Sequence, residues 1–260
     1  TGDVSGFASS IYKRGINFIN IPTTLLAQVD SSIGGKTGIN TSFGKNLIGS
    51  FYQPKLVISD IDFLKTLPKR EIICGYAEIF KHSLIFEKKF FSFLDKNANE
   101  ILNLKSPFIE KSIVKSCEIK KIIVELDEKE KSLRKILNFG HTFAHAYESS
   151  LNYSKRLNHG EAVLLGIHSA INFSLKLKLL SKLNYSKIKD HFIKYKLPNK
   201  ITNYFLKKDL KRLIYFMKKD KKNTSNLINL ILIERIGRIK LNLNFNEKVL
   251  SKFFEEELNN

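Results

Sequence analysis

The sequence has few of the features that cross-link a chain or anchor it in a membrane. It contains two cysteines, Cys74 and Cys117, too few for a disulfide framework, and this fits a reduced, cytoplasmic setting. No apolar run reaches the roughly 18 residues that a membrane-spanning helix needs, so we expect no membrane association. The first residues show neither the basic nor the apolar region of a signal peptide. These absences favour a soluble globular protein of one or two domains.

The beginning of the chain lacks an initiator methionine. Thr1 is the first residue, and Gly2 and Gly6 predict that the chain opens within a loop. Both features are typical of a fragment, or of a processed or partial gene product.

Acidic residues are scarce relative to basic ones. The chain has 25 Asp and Glu against 44 Lys and Arg, a formal net charge of +19. Nucleic-acid binding would explain such a charge, but the lysines are scattered and no RNA-binding or helix-turn-helix signature is present. We favour compositional drift and expect no nucleic-acid partner. A third interpretation is that part of the charge attracts an anionic small substrate.

Composition divides the chain at Pro68. We expect the remainder of an α/β, partly Rossmann-like NAD-binding domain over residues 1–67, and a mainly α-helical metal- and substrate-binding domain over residues 68–260. The first part is rich in glycine and mixes short apolar runs with polar loops, which predicts strands of an α/β sheet. The predicted strands are Asn17–Ile21 and Leu56–Ser59, and the predicted loops include Gly34-Gly35-Lys36 and Gly44-Lys45-Asn46.

Helical spacing dominates beyond Pro68. Ser106 is the expected N-cap of one helix, with Pro107 at its first helical position. The apolar run Leu227–Ile233, followed by Gly237, predicts a strand or hairpin within the helical part. Apolar residues three and four apart predict helices over Glu71–Phe86, Ser106–Asp127, Phe139–Ser150, Glu161–Leu179 and Asn246–Leu258.

A candidate metal site comes from three histidines and one glutamate. His141 and His145 stand four residues apart and share one helix face, and His159 opens the next helix. Imidazole nitrogens together with a carboxylate such as Glu78 suit a zinc-like ion. On spacing alone, the alternative is that these histidines are ordinary core or surface residues that bind no metal. The HExxH motif of zinc proteases is absent because Thr142 follows His141.

Two glycine-lysine segments could cradle an anion. Gly34-Gly35-Lys36-Thr37 is similar to the end of a P-loop, but Asp30 stands where its first glycine would be, which excludes an ATP-binding P-loop. The Gly34-Gly35-Lys36-Thr37 segment could form either an anion-binding loop or an ordinary glycine turn. The similar segment Gly44-Lys45-Asn46 favours anion binding. Pro22-Thr23-Thr24 follows a predicted strand, a position where α/β folds bind ligands.

Together, these segments indicate a protein family more specifically than any one of them does alone. The motifs in chain order are Gly2-Asp3, Gly6-Phe7, Tyr12-Lys13-Arg14-Gly15, the run from Pro22 to Thr37, Gly44-Lys45-Asn46-Leu47-Ile48-Gly49, Tyr52-Gln53-Pro54, Thr66-Leu67-Pro68, Ala77-Glu78 with Lys81, Ser116-Cys117-Glu118-Ile119-Lys120, Leu137 to Ala146, and His159 to Val163. In this order and spacing they resemble the 3-dehydroquinate synthase family. The resemblance covers nearly the whole chain and is loose after about Leu180.

The resemblance implies a reaction of the shikimate pathway. Members of this family convert 3-deoxy-arabino-heptulosonate 7-phosphate into 3-dehydroquinate and phosphate. They use NAD, which is recycled within one turnover, and a zinc or cobalt ion that acts as a Lewis acid. The resemblance therefore implies an NAD- and metal-dependent lyase.

It also implies roles for individual residues. Glu78, His141 and His159 match the family's metal ligands. The positions that match substrate contacts are Asp30 and Lys81 for hydroxyls near the metal, Lys36, Asn46, Asn138 and His145 for the phosphate, and Lys120 and Arg134 for the carboxylate.

Further positions match the cofactor site and the dimer. Arg14 matches an arginine that reaches the neighbouring active site across a homodimer interface, and Glu130 matches an acidic position near the site. The positions that match NAD contacts are Gly2, Asp3, Thr23, Thr24, Lys36, Lys45, Phe63 and Thr66.

The chain also departs from the family pattern. Family members carry about a hundred further residues before the position of Thr1, as a complete dinucleotide domain requires, so we expect this chain alone to bind NAD poorly. His82, Ser83 and Ala144 are smaller departures. The alternatives are a related sugar-phosphate cyclase whose substrate lacks a carboxylate, a polyol dehydrogenase of the same broad fold, and an inactive or nucleic-acid-binding truncated remnant.

Overall fold

The computed structural model describes residues 1–41, 44–219 and 227–259. The helices are α1 (Gly2–Ile11), α2 (Lys69–Phe86), α3 (Lys88–Leu102), α4 (Phe108–Leu126), α5 (His141–Ser150), α6 (His159–Lys176), α7 (Lys182–Lys194), α8 (Leu210–Lys218) and α9 (Glu247–Glu257). The strands are β1 (Ile19–Asn20), β2 (Lys36–Thr41), β3 (Gly44–Phe51), β4 (Leu56–Val57), β5 (Ile228–Arg235) and β6 (Arg238–Phe245). Within these described ranges, no helix has the length and hydropathy needed to cross a membrane.

The chain folds into two compact units. The first contains residues 1–82 and 99–134, and the second contains residues 83–98 and 135–260. Helix α2 ends in the second unit and α3 ends in the first. The α/β character lies in the first unit and the second is mainly helical, which confirms the expected fold class.

The first unit holds one short strand within each of the two segments that the sequence predicts as strands. Strands β1 and β4 pair in parallel, with Ile19 opposite Leu56 and Asn20 opposite Val57. Between them the chain makes a π-helical turn at Ala27–Ser31 that packs against α4. The turn buries Val29 completely. It therefore fixes the next residue along, Asp30, beside helix α4.

The start of the chain is a helix, so the predicted opening loop is wrong. Helix α1 runs from Gly2 and packs on β2. A Cβ atom on Gly6 would lie 2.6 Å from Thr37 Cγ2. This glycine serves close packing between a helix and a strand, which sequence patterns do not distinguish from a flexible turn.

The two predicted glycine loops are largely a β-hairpin. Strands β2 and β3 pair antiparallel, with Gly38 opposite Gly49. A Cβ on Gly49 would lie 2.1 Å from the Thr37 carbonyl oxygen, so the glycine permits a close backbone approach. Lys36 and Asn46 therefore stand on strands, whereas Gly34 and Gly35 keep the positive φ angles of a turn.

The second unit is built around the contact of α5 with α6. A Cβ on Gly166 would lie 2.2 Å from the Gly140 carbonyl oxygen, so the two backbones meet without side chains between them. Aromatic side chains fill the core beyond, with the Phe143 ring 5.9 Å from the Phe254 ring. Strands β5 and β6 form the hairpin expected near Gly237.

Several helix limits differ from the prediction. Helix α4 begins at Phe108 with Pro107 as its N-cap, so Ser106 does not cap it. Helix α6 begins at His159, two residues before its predicted start, because Asn158 caps it with Glu161 in a capping box. Helices α3, α7 and α8 were not predicted individually.

Candidate active site

A largely buried group of opposite charges occupies the first unit, with Asp30 partly exposed. Lys120 on α4 donates a hydrogen bond of 2.7 Å to Asp30 Oδ1 and another to the Asp30 carbonyl oxygen. On α2, Lys81 pairs with Glu78 three residues earlier, and these two side chains are 2% and 0% exposed. Four of the predicted site residues thus form two ion pairs in one unit.

The charges of this group control its protonation. Burial favours the neutral form of Asp30, but the positive charges of Lys120 and Lys81 outweigh it and hold the pKa of Asp30 well below its ordinary value. Burial lowers the pKa of Lys120, and the Asp30 carboxylate opposes this change. Asp30 is therefore a carboxylate that accepts hydrogen bonds at any physiological pH.

His82 joins the same group, although the sequence indicated no role for it. A ring nitrogen of His82 and one carboxylate oxygen each of Asp30 and Glu78 lie within 4.8 Å of one another. The side chain is fully buried, and both ring nitrogens lack a hydrogen-bond partner among the described residues. Burial and the charge of Lys81 lower the pKa of His82 well below its ordinary value, so the ring is neutral.

Arg134 is held against backbone. The side chain is 2% exposed, and its Nη2 donates a 2.9 Å hydrogen bond to the Gly34 carbonyl oxygen while Nη1 donates to that of Glu128. A Cβ on Gly34 would lie 2.3 Å from Nη2. Asp127 accepts from the Arg134 backbone N–H at 3.0 Å. The glycine turn thus makes room for a guanidinium, which the sequence did not show.

Three of the predicted residues line one cavity in the first unit. Asp3, Lys36 and Asn46 border a space of about 300 Å³ beside β2 and β3. Lys36 forms an ion pair with Glu130, the acidic residue predicted to lie near the site. The pKa of Asp3 is raised by burial and by the nearby Asp30 carboxylate. A cation and an amide in one cavity are suited to an anionic group.

Most of the remaining residues that are predicted to contact NAD lie in short turns. Thr24 Oγ1 accepts from the Ala27 backbone N–H at 3.1 Å, which caps the turn that carries Asp30. Thr66 Oγ1 donates to the Phe63 carbonyl oxygen at 3.2 Å. Thr23 is exposed, and the Lys45 side chain lies outside the described part. Gly2 starts α1, and the free N–H groups of a helix N-terminus suit a phosphate.

Arg14 stands apart from these groups. Its side chain is exposed after α1, and its backbone has a positive φ of 66°. The structure does not bring it to the other predicted residues of its unit, and its predicted role across a dimer interface stays a prediction.

The second unit brings the histidines together. The His141 ring lies 5.7 Å from the His159 ring and 5.5 Å from the His145 ring. Asn138 ends the 3₁₀ turn just before Phe139-Gly140, so it precedes His141 by three residues. His141 begins α5 and His159 begins α6, and the glycine contact between these helices sets their spacing.

His141 and His159 each have a hydrogen-bond partner at Nδ1. His141 Nδ1 lies 3.3 Å from the Phe139 carbonyl oxygen, and His159 Nδ1 lies 3.3 Å from Glu148 Oε2. A partner at Nδ1 assigns the coordinating role in a metal site to Nε2. Glu148 was not identified from the sequence, although its spacing of seven from His141 indicates the same helix face.

Comparison with known proteins identifies the family of this chain. The profile of the 3-dehydroquinate synthase N-terminal domain matches residues 1–74, and that of the C-terminal domain matches residues 75–223. A 3-dehydroquinate synthase of Pelagibacter ubique (strain HTCC1062) is 60% identical over 258 residues, which cover 99% of this chain and 70% of that protein. The chain belongs to the 3-dehydroquinate synthase family.

Solved structures of related cyclases share the fold. A 2-epi-5-epi-valiolone synthase from Streptomyces hygroscopicus subsp. jinggangensis 5008, with NAD+ and Zn2+ bound, has a TM-score of 0.87 at 23% identity; the match covers 99% of this chain and 70% of that one. A 2-deoxy-scyllo-inosose synthase complexed with carbaglucose-6-phosphate, NAD+ and Co2+ has a TM-score of 0.84 at 27% identity, over 98% of this chain and 71% of that one. Family membership and fold class are thereby established together.

Proposed function

We propose that this chain carries out the 3-dehydroquinate synthase reaction, in which 3-deoxy-arabino-heptulosonate 7-phosphate becomes 3-dehydroquinate and phosphate. The observation that carries the proposal is the buried group of Asp30, Lys120, Lys81 and Glu78, with Arg134 held at Gly34. Burying Lys81, Glu78, Lys120 and the Arg134 guanidinium beside the partly exposed Asp30 costs stability unless these groups serve a ligand or each other. A substrate with hydroxyl, carboxylate and phosphate groups would interact with all of these charged side chains.

The proposed divalent metal site consists of Glu78, His141 and His159. Two imidazoles and one carboxylate suit zinc or cobalt and leave a coordination position for a substrate. Within the second unit, each histidine has an oxygen atom 3.3 Å from its Nδ1, an arrangement that assigns metal coordination to Nε2 and supports this assignment. The ion would supply Lewis acidity toward a substrate hydroxyl.

NAD is the proposed organic cofactor. The helix start at Gly2, the Asp3 carboxylate, and the Thr24 and Thr66 turns are the groups of this chain that would hold it. When bound, NAD supplies reversible hydride transfer. The chain's own residues then have three tasks: to bind the substrate, to orient its hydroxyls, and to accept or hold protons.

Asp30 is suited to the hydroxyls. Its charge is maintained by Lys120 and Lys81, so it accepts a hydrogen bond from a substrate hydroxyl and polarises it. Lys81 keeps the Glu78 carboxylate oriented through their ion pair. Lys36 and Asn46 in their cavity, and Asn138 and His145 in the second unit, are proposed to bind the phosphate.

Lys120 and Arg134 are proposed to bind the substrate carboxylate. Two N–H groups of Arg134 already donate to backbone carbonyls, which leaves its other N–H groups for a ligand. We also propose that two copies associate, so that Arg14 of one copy completes the site of the other.

Variants of Arg134 test the substrate assignment. In the full-length gene product, Arg134→Lys keeps the charge but loses the planar donor set, so kcat/KM for the seven-carbon acid phosphate should fall on the order of 10- to 100-fold. Lys121→Ala is the matched control, because Lys121 pairs with Glu125 on the exposed side of α4. Both variants should retain a cooperative thermal transition. Unchanged kcat/KM in Arg134→Lys would refute the carboxylate assignment.

A second candidate is a sugar-phosphate cyclase whose substrate has no carboxylate. The similarity to the inosose synthase solved with carbaglucose-6-phosphate favours it. Such an enzyme would leave Lys120 and Arg134 without an anionic ligand. Turnover of a hexose 6-phosphate that exceeds turnover of the seven-carbon acid would select this candidate.

A further inference from the structure

Glu148 is a buried carboxylate beside a proposed metal ligand. Its side chain is 6% exposed, and its Oε2 lies 3.3 Å from Nδ1 of His159, whose own side chain is 34% exposed. Glu148 stands on α5 and His159 at the first position of α6. The contact thus joins the two helices that carry the proposed histidine ligands.

The carboxylate selects one form of the imidazole. A neutral imidazole has one donor and one acceptor nitrogen, and a carboxylate can only accept. Glu148 therefore favours the tautomer of His159 with its proton on Nδ1. The lone pair is then on Nε2, where a metal ligand needs it.

His141 is oriented by a weaker partner. Its Nδ1 faces the Phe139 carbonyl oxygen, which is neutral, at 3.3 Å. A negatively charged partner raises the basicity of the ring more than a neutral carbonyl does. The Glu148 carboxylate would therefore strengthen the bond between His159 and a divalent ion.

The backbone of Glu148 has a separate role. Its carbonyl oxygen accepts from the backbone N–H groups of Leu151 and Tyr153 and closes the end of α5. Those hydrogen bonds do not involve the side chain. A substitution at this position can therefore remove the carboxylate while the helix end is retained.

We propose that Glu148 is a positioning residue that holds His159 in its metal-binding tautomer and orientation. This inference rests on the proposed function, because it requires a metal ion at His159. It adds a residue of the second unit that no sequence motif indicated. It also explains why a carboxylate is buried at a point with no substrate contact assigned to it.

Cobalt binding to metal-free full-length gene product tests the assignment. Glu148→Leu should weaken Co2+ binding by about 10- to 100-fold, the range found when the outer partner of a histidine ligand is removed. Glu148→Gln keeps an acceptor without the charge and should lose less affinity than the leucine variant. The visible spectrum of bound Co2+ should change in both, because the ligand field at His159 changes.

Tyr147→Phe is the matched control. Tyr147 is the buried neighbour of Glu148, and its hydroxyl bonds Ser169 Oγ at 2.7 Å, away from the histidines. This variant should lose thermal stability but keep the Co2+ affinity and spectrum of the wild type. Affinity within twofold of wild type in both Glu148 variants would overturn the inference alone. A wild-type protein that binds no Co2+ would overturn both the inference and the proposed function.

Discussion

At the scale of single residues, the proposed site contains polar groups that are costly to bury. His82 is the clearest case, since its ring is fully buried and neither nitrogen has a partner among the described residues. Such a group normally costs about 1–3 kcal/mol of stability. Proteins keep costs of this kind where function needs them.

Replacing His82 by Phe should therefore separate stability from activity. We expect the variant to be as stable as the wild type or up to about 2 kcal/mol more stable, because an unsatisfied polar group is removed. Its kcat/KM should fall, because the imidazole faces the Asp30 and Glu78 carboxylates. Chemical unfolding and steady-state kinetics measure the two effects. A variant that is destabilised and fully active would contradict this role.

The sequence predicted most charged residues of the proposed site but not their partners. Glu78, His141 and His159 follow from motif and spacing. His82 and Glu148 were missed because a single histidine or glutamate on a helix has many ordinary explanations. Arg134 was assigned from the resemblance, but only the structure shows that Gly34 is a glycine because the guanidinium occupies the space of its Cβ.

At the scale of elements, glycine contacts decide where helices meet. In Gly166→Ala, the new methyl would lie 2.2 Å from the Gly140 carbonyl oxygen and force α5 from α6. We expect a loss of about 1–3 kcal/mol in the free energy of unfolding. Gly2→Ala is the control, because nothing lies within 4 Å of its Cβ position. Thermal unfolding of both variants makes the comparison, and equal stability would contradict the packing argument.

Helix α7 carries a buried histidine that should make stability depend on pH. His191 has no exposed surface and its Nδ1 lies 2.9 Å from Asp95 Oδ1. Burial lowers the pKa of His191 to about 4 from 6.5, although the Asp95 contact opposes this. Between these pH values the unfolded chain binds more protons than the folded one, so stability falls as the pH drops from 6.5 toward 4.

Substitution of His191 measures its contribution to the pH dependence of stability. Each such group contributes up to about 1.4 kcal/mol per pH unit in that window. The His191→Gln variant should show a shallower decline of unfolding free energy between pH 6.5 and pH 4 than the wild type. Parallel slopes for the two proteins would show that His191 does not titrate on unfolding.

The periodicity of apolar residues predicted the elements that bury one face. It failed where a glycine allows close packing between elements. The helices around Glu78, His141 and His159 and the β5–β6 hairpin were predicted correctly. Helix α1 was predicted as a loop because Gly2 and Gly6 suggested a turn, whereas the space at Gly6 is occupied by Thr37. Local sequence does not encode the neighbour that makes a glycine necessary.

At the scale of the whole molecule, the two units divide the proposed tasks. The first holds the buried ion pairs and the cavity of Lys36 and Asn46, and the second holds the oriented histidines. The net charge of +19 fits an anionic substrate, as one interpretation of the sequence proposed. The homodimer stays a prediction.

The proposed reaction is a cyclisation that eliminates phosphate and leaves no net NADH. The most direct measurement follows phosphate, 3-dehydroquinate and NADH together while the full-length gene product acts on 3-deoxy-arabino-heptulosonate 7-phosphate with NAD and Co2+. We predict one phosphate and one 3-dehydroquinate per substrate consumed, no accumulation of NADH, and loss of turnover on chelation of the metal. Net NADH formation without phosphate release would instead indicate a polyol dehydrogenase and contradict the account.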